Sequence, residues 1–334
     1  MRKIQWGILS TANIGIKRVI PAIQSGERGA IAAIASRSAS RAAEVAARFA
    51  IPCSHGSYEA LLNDSNIDAI YNPLPNHLHV EWTVKALAAG KHVLCEKPLG
   101  VNAAETQAIL DARDRSQKRV IEAFMVRHHP QWHRVRALVR AGRIGTVRSI
   151  QSAFLFTVLD PNNVRNQAEL GGGALYDVGC YPLVAARYLF GAEPTRVIAL
   201  INRDEKLGID TLTSGLLEFP GGGQLVFSSA FRAAAYQRVT ILGTDGRIEM
   251  PVPFTPAKDQ ACRITIDSGK SLDGSSAQFE DFPAVDQYAL QCDAAAAVFL
   301  GEIRQEFPIE DGIANMRIID ALYRSANSGR WEVP

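Results

Sequence analysis

The chain has 334 residues, 47% of them apolar and 21% charged, with a formal net charge of +2. A single core seldom grows past about 250–300 residues, so two domains are expected, and the near-neutral balance offers nothing to nucleic acid or an anionic membrane. No apolar run is long enough to span a bilayer, the stretch 4–9 is too short for a signal-peptide core, and Cys53, Cys95, Cys180, Cys262 and Cys292 show no CxxC spacing, so reduced thiols and a cytoplasmic location are the expectation.

In chain order, short apolar runs at 4–9, 31–35, 69–71, 92–95 and 120–123 predict strands. Helical periodicity at 14–25, 40–49, 58–62, 78–89 and 103–116 fills the gaps. Strand–helix alternation at this spacing predicts a doubly wound, parallel Rossmann sheet over residues 1–125. From 126 to 334 the pattern changes. A helix near 132–141 precedes strands at 147–157, 197–201, 211–219, 224–231, 238–242, 247–250 and 263–267, with helical patterns at 173–189, 285–301 and 309–328. Turn signals such as Pro220-Gly221-Gly222-Gly223 and Gly243-Thr244-Asp245-Gly246 predict hairpins. The second domain is therefore read as α+β, an open, largely antiparallel sheet flanked by helices. Gly221-Gly222-Gly223 joins two strands and precedes no helix, so it is a turn and not a phosphate loop.

The first strand runs into Gly7-Ile8-Leu9-Ser10-Thr11-Ala12-Asn13-Ile14-Gly15 and then a helix, the context of a dinucleotide-binding turn. The three glycine slots of that fingerprint read Ser10, Ala12 and Gly15. Ala12 still permits close backbone approach to a pyrophosphate, Ser10 has to tolerate the tight turn, and the helix N-terminus supplies N–H groups for phosphate. A chain selective for NAD places an acid after the second strand. Here the strand ends Ala35-Ser36-Arg37-Ser38, with Arg41 one turn on. Arg37 and Ser36 suit a 2′-phosphate, which favours NADP over NAD.

Two further segments follow strands: Asn72-Pro73-Leu74-Pro75-Asn76-His77-Leu78-His79 and Cys95-Glu96-Lys97-Pro98-Leu99. Both lie at carboxyl ends of parallel strands, where open α/β sheets place ligands. With the Ser-x-Ala-x-x-Gly turn, the Glu96-Lys97-Pro98 triplet and Gly171-Gly172-Gly173-Ala174-Leu175-Tyr176-Asp177-Val178-Gly179-Cys180-Tyr181, the chain resembles the glucose–fructose oxidoreductase / inositol dehydrogenase family over essentially its whole length. Trp6 to Ala12, the loop Asp160-Pro161-Asn162-Asn163-Val164-Arg165 and Tyr181 are most similar to the dimeric dihydrodiol dehydrogenase / NADP-dependent D-xylose dehydrogenase branch.

The resemblance implies hydride transfer between a nicotinamide and a hydroxyl or carbonyl carbon of a sugar or small polyol, a D-xylose-like aldose being preferred. A trans-dihydrodiol and an anhydro- or keto-sugar are the alternatives, and a non-catalytic NADP-binding sensor is the alternative of another class. It also implies that Asn72, Pro73, Leu74, Asn76, His77, Glu96 and Lys97 line the nicotinamide side, although Asn76 and His77 also suit capping the helix near Leu78. Lys97, Tyr181 and Asp177 are the catalytic candidates. A phenol of pKa about 10 is a poor base at neutral pH, and a nearby ammonium lowers its pKa and stabilises a developing alkoxide. Either Lys97 or Tyr181 is the principal acid/base. If 173–189 is helical, Gly173, Asp177 and Tyr181 share a face, and Asp177 is placed to bond a substrate hydroxyl.

Arg165 is a candidate for a substrate hydroxyl or a cofactor phosphate, and Phe156 for a pocket wall. The resemblance puts Arg127-His128-His129-Pro130 at the domain boundary, making Arg127 a substrate-side candidate. His128, His129 and His133 lack a carboxylate at ligand spacing, so no metal is expected. An open antiparallel sheet leaves one face to cover, so a homodimer or dimer of dimers is expected.

Overall fold

The computed structural model describes residues 2–334. The chain groups into two compact units, one holding the residues up to Met125 together with Asp286–Ile313, the other Val126–Val285 and Ala314–Pro334.

In the first unit β1 (Ile4–Leu9) leads through a π-helical turn at Gly15–Val19 into α1 (Ile20–Ser25). There follow β2 (Gly29–Ala35), α2 (Ala39–Arg48), β3 (Cys53–His55), α3 (Tyr58–Leu62), β4 (Ala69–Asn72), α4 (His79–Ala88), β5 (His92–Cys95), α5 (Ala103–Ser116) and β6 (Val120–Glu122). The strands form a parallel sheet in the order β3-β2-β1-β4-β5-β6, the doubly wound Rossmann arrangement. Alternation alone predicts five of these strands. The sixth, β3, has only three residues and carries no apolar run, so periodicity does not see it. The core gathers Trp6, Ile8, Ile20, Ile34, Tyr71 and Leu94 from strands and helices. It also takes Cys292, Ala295, Ala296 and Phe299 from the later helix Gln287–Phe299. That helix buries its small-residue side here, so residues 286–313 group with the N-terminal unit, whereas a boundary at 125/126 assigns them to the second domain.

The second unit contains α6 (Pro130–Arg140), β7 (Val147–Thr157), α7 (Cys180–Phe190), β8 (Arg196–Arg203), β9 (Asp210–Glu218), β10 (Gln224–Ala230), β11 (Arg232–Gly243), β12 (Arg247–Met250), β13 (Cys262–Asp267) and β14 (Ala277–Phe282). The Gln287–Phe299 helix is α8, and α9 is Ile309–Ser328. The eight strands are ordered β14-β13-β12-β11-β7-β10-β9-β8, antiparallel except for the parallel pair β10·β7. One face is packed by helices, α7 lying against β7 and β10, and at the sheet's edge the Ala199 N–H of β8 donates to Ser325 Oγ of α9. The other face carries an apolar row in register across four strands, Tyr236, Leu155, Ala230 and Leu212. Four residues along, a second row holds Val226, Leu216 and Ile198, and the row between them carries Ala153, Ser228, Ser214 and Leu200. Leu200, Tyr236, Val226 and Leu212 are exposed there, Leu200 by 78%. No helix among the described residues is long and apolar enough to cross a membrane.

Two helices open with a π turn, at Gly15–Val19 and at Leu175–Gly179, and each is soon followed by a proline, Pro21 and Pro182. A proline ring clashes with the carbonyl four residues back and offers no N–H, so the preceding turn widens. The bonds confirm the widening: Ile20 N–H donates to Gly15 O and Cys180 N–H to Leu175 O, both five residues back.

Candidate active site

The dinucleotide turn closes with Ser10 in the left-handed region at φ 70°. This conformation is uncommon for any residue but glycine. Local bonding sustains it, since Ser10 Oγ accepts from Ala12 N–H at 3.2 Å. Thr11, Ala12 and Ile14 are half-buried and Asn13 is exposed. At the end of β2, Ser36 is buried and its Oγ accepts from Ser38 N–H. The Ser38 side chain in turn caps α2. Arg37 is exposed, with its charge near the Tyr58 hydroxyl, while Arg41 pairs with Glu44 on the helix surface at 2.6 Å. No carboxylate stands between Ala35 and Glu44.

The β4 and β5 ends are tied to one another. Tyr71, wholly buried, donates from its hydroxyl to Glu96 Oε1 at 2.7 Å. Lys97 N–H donates to Glu96 Oε2 at 3.4 Å. Burial first, and then the Glu96 charge, push the Tyr71 phenol well above its ordinary pKa, so it stays a donor. The Lys97–Pro98 peptide is cis. Lys97 and Glu96 are half-buried where β5 ends. Asn72 is buried, with its amide donating to His79 O and Thr83 Oγ1 and its Oδ1 accepting from Leu74 N–H. Its side chain thus fixes the turn of Pro73 and Leu74, both buried. Asn76 and His77 sit in a 3-10 turn before α4, whose N-cap position is Leu78 with no side-chain cap bond.

Two further residues complete this half. His79 spans Leu74 O at 2.7 Å and Pro98 O at 2.8 Å, and burial lowers its pKa to about 4. The ring staples the Asn-Pro-Leu-Pro turn to the Glu-Lys-Pro turn. Tyr288, at the start of α8, lies close enough to feel the charges of Glu96, Lys97 and Arg18. Burial and Glu96 push its phenol up to about 12. No sequence pattern announces Tyr288, which comes from far down the chain.

In the second unit, Gly171-Gly172-Gly173 leads into the π turn that carries Asp177. A Cβ on Gly172 meets Arg165 O at 2.6 Å, and one on Gly173, whose φ is 129°, meets Asp210 Oδ1 at 2.2 Å. Only glycine lets the backbone pass this close. Asp210, buried, accepts from Leu175 N–H at 2.7 Å and from the Tyr323 hydroxyl at 2.8 Å, so it anchors the turn. Burial raises its pKa. Arg165 Nε donates to Asp177 Oδ2 at 2.6 Å, joining two of the candidates in an ion pair. The Arg165 guanidinium lies 6.0 Å from the Phe156 ring centre. Tyr181, buried in the first turn of α7, stands edge-on to Phe154 at 5.5 Å and near Phe254 at 5.4 Å. The expected continuous α-helix from residue 173 is replaced by a wider turn over Leu175–Gly179, and the α-helix itself begins only at Cys180. Arg127 is buried and its carbonyl accepts from His133 Nε2 at 2.7 Å. His129 caps α6, and burial lowers His128 to about 4.

Family models match both halves: an oxidoreductase family model with an NAD-binding Rossmann fold over residues 4–124, and the GFO/IDH/MocA C-terminal domain over 132–249. The chain belongs to the GFO/IDH/MocA oxidoreductase family. It is 42% identical over 328 residues to a D-xylose 1-dehydrogenase (NADP(+)) of Haloferax volcanii, covering 98% of each chain. It is 34% identical over 255 residues to a trans-1,2-dihydrobenzene-1,2-diol dehydrogenase of Xenopus laevis, covering 74% of this chain and 75% of that one. Among solved structures it superposes on KijD10, a 3-ketoreductase from Actinomadura kijaniata in complex with NADP and TDP-benzene. The TM-score is 0.91 at 30% identity, over 97% of this chain and 98% of that one. As a GFO/IDH/MocA member the chain is an NAD(P)-dependent oxidoreductase, and the residues of its first unit fit the dinucleotide. The turn at Ser10 is tight, and the end of β2 presents an arginine where an acid would repel a phosphate.

Proposed function

We propose that the chain is an NADP-dependent dehydrogenase or reductase of a small polyhydroxylated substrate, with an aldose of the D-xylose type oxidised at C1 preferred. The observation that carries this is the Asp177–Arg165 pair set beside the aromatic side chains of Phe156, Phe154 and Tyr181. An ion pair suits hydroxyl groups, and aromatic faces suit the C–H face of a sugar ring. The D-xylose dehydrogenase relative supports the aldose, and the 3-ketoreductase supports a keto-sugar reduced in the reverse direction as the second reading.

Bound NADP supplies the hydride acceptor. The chain's own residues do the rest. Ser10 to Ile14 receive the pyrophosphate at the helix N-terminus, and Ser36, Arg37 and Arg41 take the 2′-phosphate. The Arg41–Glu44 pair is exposed and weak, so a phosphate competes for Arg41. Asn72, Pro73, Leu74, Asn76 and His77 line the nicotinamide side. Lys97 and Tyr181 handle the proton of the substrate hydroxyl as the C–H bond breaks, one or the other acting as the principal acid/base. Asp177 orients a neighbouring hydroxyl with Arg165, and Glu96 holds the Lys97 backbone. Arg127 belongs on the substrate side.

We also propose that the uncovered face of the eight-stranded sheet is the contact between two copies, which removes its apolar rows from water.

The deciding assay follows nicotinamide absorbance with NADP+ or NADPH against aldoses, inositols, dihydrodiols and keto-sugars. Turnover of a pentose or hexose is expected. NADPH binding without turnover of any member would replace the enzyme reading with that of a sensor.

A further inference from the structure

Cys53 and His55 are two residues apart on β3, so their side chains leave the same face of the edge strand. Asp64 comes back to them from the loop after α3. His55 Nε2 lies 3.6 Å from Cys53 Sγ and 3.1 Å from Asp64 Oδ2, and all three atoms fall within 4.8 Å of one another. The three side chains are half-buried, His55 by all but 20% and Asp64 by all but 12% of its side chain.

The hydrogen bonding of this group does not close on its own. In a nucleophile–histidine–acid relay the imidazole uses both nitrogens, one toward each partner. Here thiol and carboxylate converge on the same nitrogen. In any protonation state that nitrogen has one N–H or one lone pair. If it donates to Asp64, the Cys53 sulfur is left as a weak acceptor of a shared hydrogen. If it is bare, it accepts from the thiol but turns its lone pair toward a carboxylate. One cation at the centre of the three atoms satisfies all of them.

The spacing agrees. Bonds of about 2.3 Å to sulfur and about 2.0–2.1 Å to nitrogen and oxygen give tetrahedral edges of about 3.6 Å for S···N and about 3.3 Å for N···O, against 3.6 and 3.1 Å here. The thiol–carboxylate edge closes by rotation of the half-exposed Cys53. Asp64 is already aimed, because its Oδ1 accepts from Asn66 N–H at 2.9 Å and its carbonyl accepts from Lys91 Nζ at 2.7 Å, which leaves Oδ2 for the site.

We propose that Cys53, His55 and Asp64 form a site for a borderline-soft divalent cation, zinc by preference, with water as the fourth ligand. A thiolate–imidazole–carboxylate set selects zinc over magnesium or calcium, which favour all-oxygen shells. On binding, the Cys53 S–H bond breaks, its proton goes to solvent and sulfur bonds the metal, so affinity falls with acid. The cation fastens the short edge strand to the loop ahead of β4. Sequence spacing at His128, His129 and His133 gives no sign of this group, because Asp64 arrives only once α3 has folded.

The test is titration of the metal-free full chain with cobalt(II), reading the thiolate-to-cobalt charge-transfer band, with zinc competition and melting followed by circular dichroism. Expected are saturation at a single equivalent, displacement by zinc and a raised melting temperature. Cys53→Ser abolishes the band, His55→Asn weakens binding at least tenfold, and Cys262→Ser changes neither. Absence of the band in the unaltered chain, its survival in Cys53→Ser, or undiminished affinity in His55→Asn overturns the proposal.

Discussion

The Tyr71 hydroxyl donates to Glu96 Oε1 at 2.7 Å, linking the core of the parallel sheet to the residue that precedes Lys97. A hydrogen bond to a charged acceptor contributes about 1.5–3 kcal/mol, less where, as for the half-buried Glu96, solvent still reaches the acceptor. Tyr71→Phe keeps the ring and opens no cavity. The expected outcome is a fall in kcat of roughly tenfold with KM for substrate little changed, since the loss concerns placement of Lys97. Steady-state kinetics beside a melting curve checks this. An unchanged kcat in a folded variant removes Tyr71 from the positioning of Lys97.

Lys97→Met and Tyr181→Phe should each lower kcat by about 10²–10⁴, the range of general acid–base contributions, while NADPH fluorescence titration gives nearly the same Kd as before. Groups that act as a unit are not additive, so the double variant should lose little more than the worse single. Asp177→Asn is expected to raise KM more than it lowers kcat, because it orients substrate. Full activity in Lys97→Met would falsify the assignment of the proton work.

Arg37→Ala tests the cofactor reading. Loss of a charge-assisted contact to the 2′-phosphate should weaken NADP+ by about tenfold to hundredfold, equivalent to roughly 1.4–2.8 kcal/mol, and leave NAD+ almost untouched. Equal weakening of both cofactors would point to an effect through the Tyr58 contact instead.

Burial holds His79, His92 and His128 at about 4. Unfolded imidazoles titrate near 6.5, so between pH ~6.5 and ~4 the unfolded chain binds protons that the folded chain refuses. Stability is complete above that window and drops as pH falls through it, by up to about 1.4 kcal/mol per pH unit for each ring. Melting temperatures should therefore decline steeply from pH 6.5 to 4. In His79→Gln the decline should be shallower, even though the variant starts from a lower melting temperature. An identical slope would show that His79 is not among the groups responsible.

For self-association, the exposed Val226 sits in the row shared with Leu216 and Ile198. Val226→Lys places a charge in the middle of that face, where desolvating it is costly. Light scattering should report a dimer or larger assembly for the unaltered chain and a shift toward monomer for the variant. A monomer at every concentration in the unaltered chain refutes the interface.

Much of this protein is written locally. The strand-turn-helix around Ser10, the missing acid after Ala35 and the Glu96-Lys97-Pro98 triplet need only their neighbours in sequence. They depend on backbone conformation, charge and the period of apolar residues, and those are short-range properties. The glycine run before Asp177 is legible as a motif. Its reason is not, because Asp210 and the Arg165 carbonyl that exclude a Cβ come from elsewhere in the fold. Tertiary structure alone decided the rest. It allotted the Gln287–Phe299 helix to the first unit, because burial of Ala295, Ala296 and Phe299 depends on which core receives them. The same holds for Tyr288 beside Glu96, for His79 between two carbonyls, and for Asp64 meeting Cys53 and His55. Such contacts join residues whose separation along the chain carries no periodic signal, and only packing sets them at bonding distance.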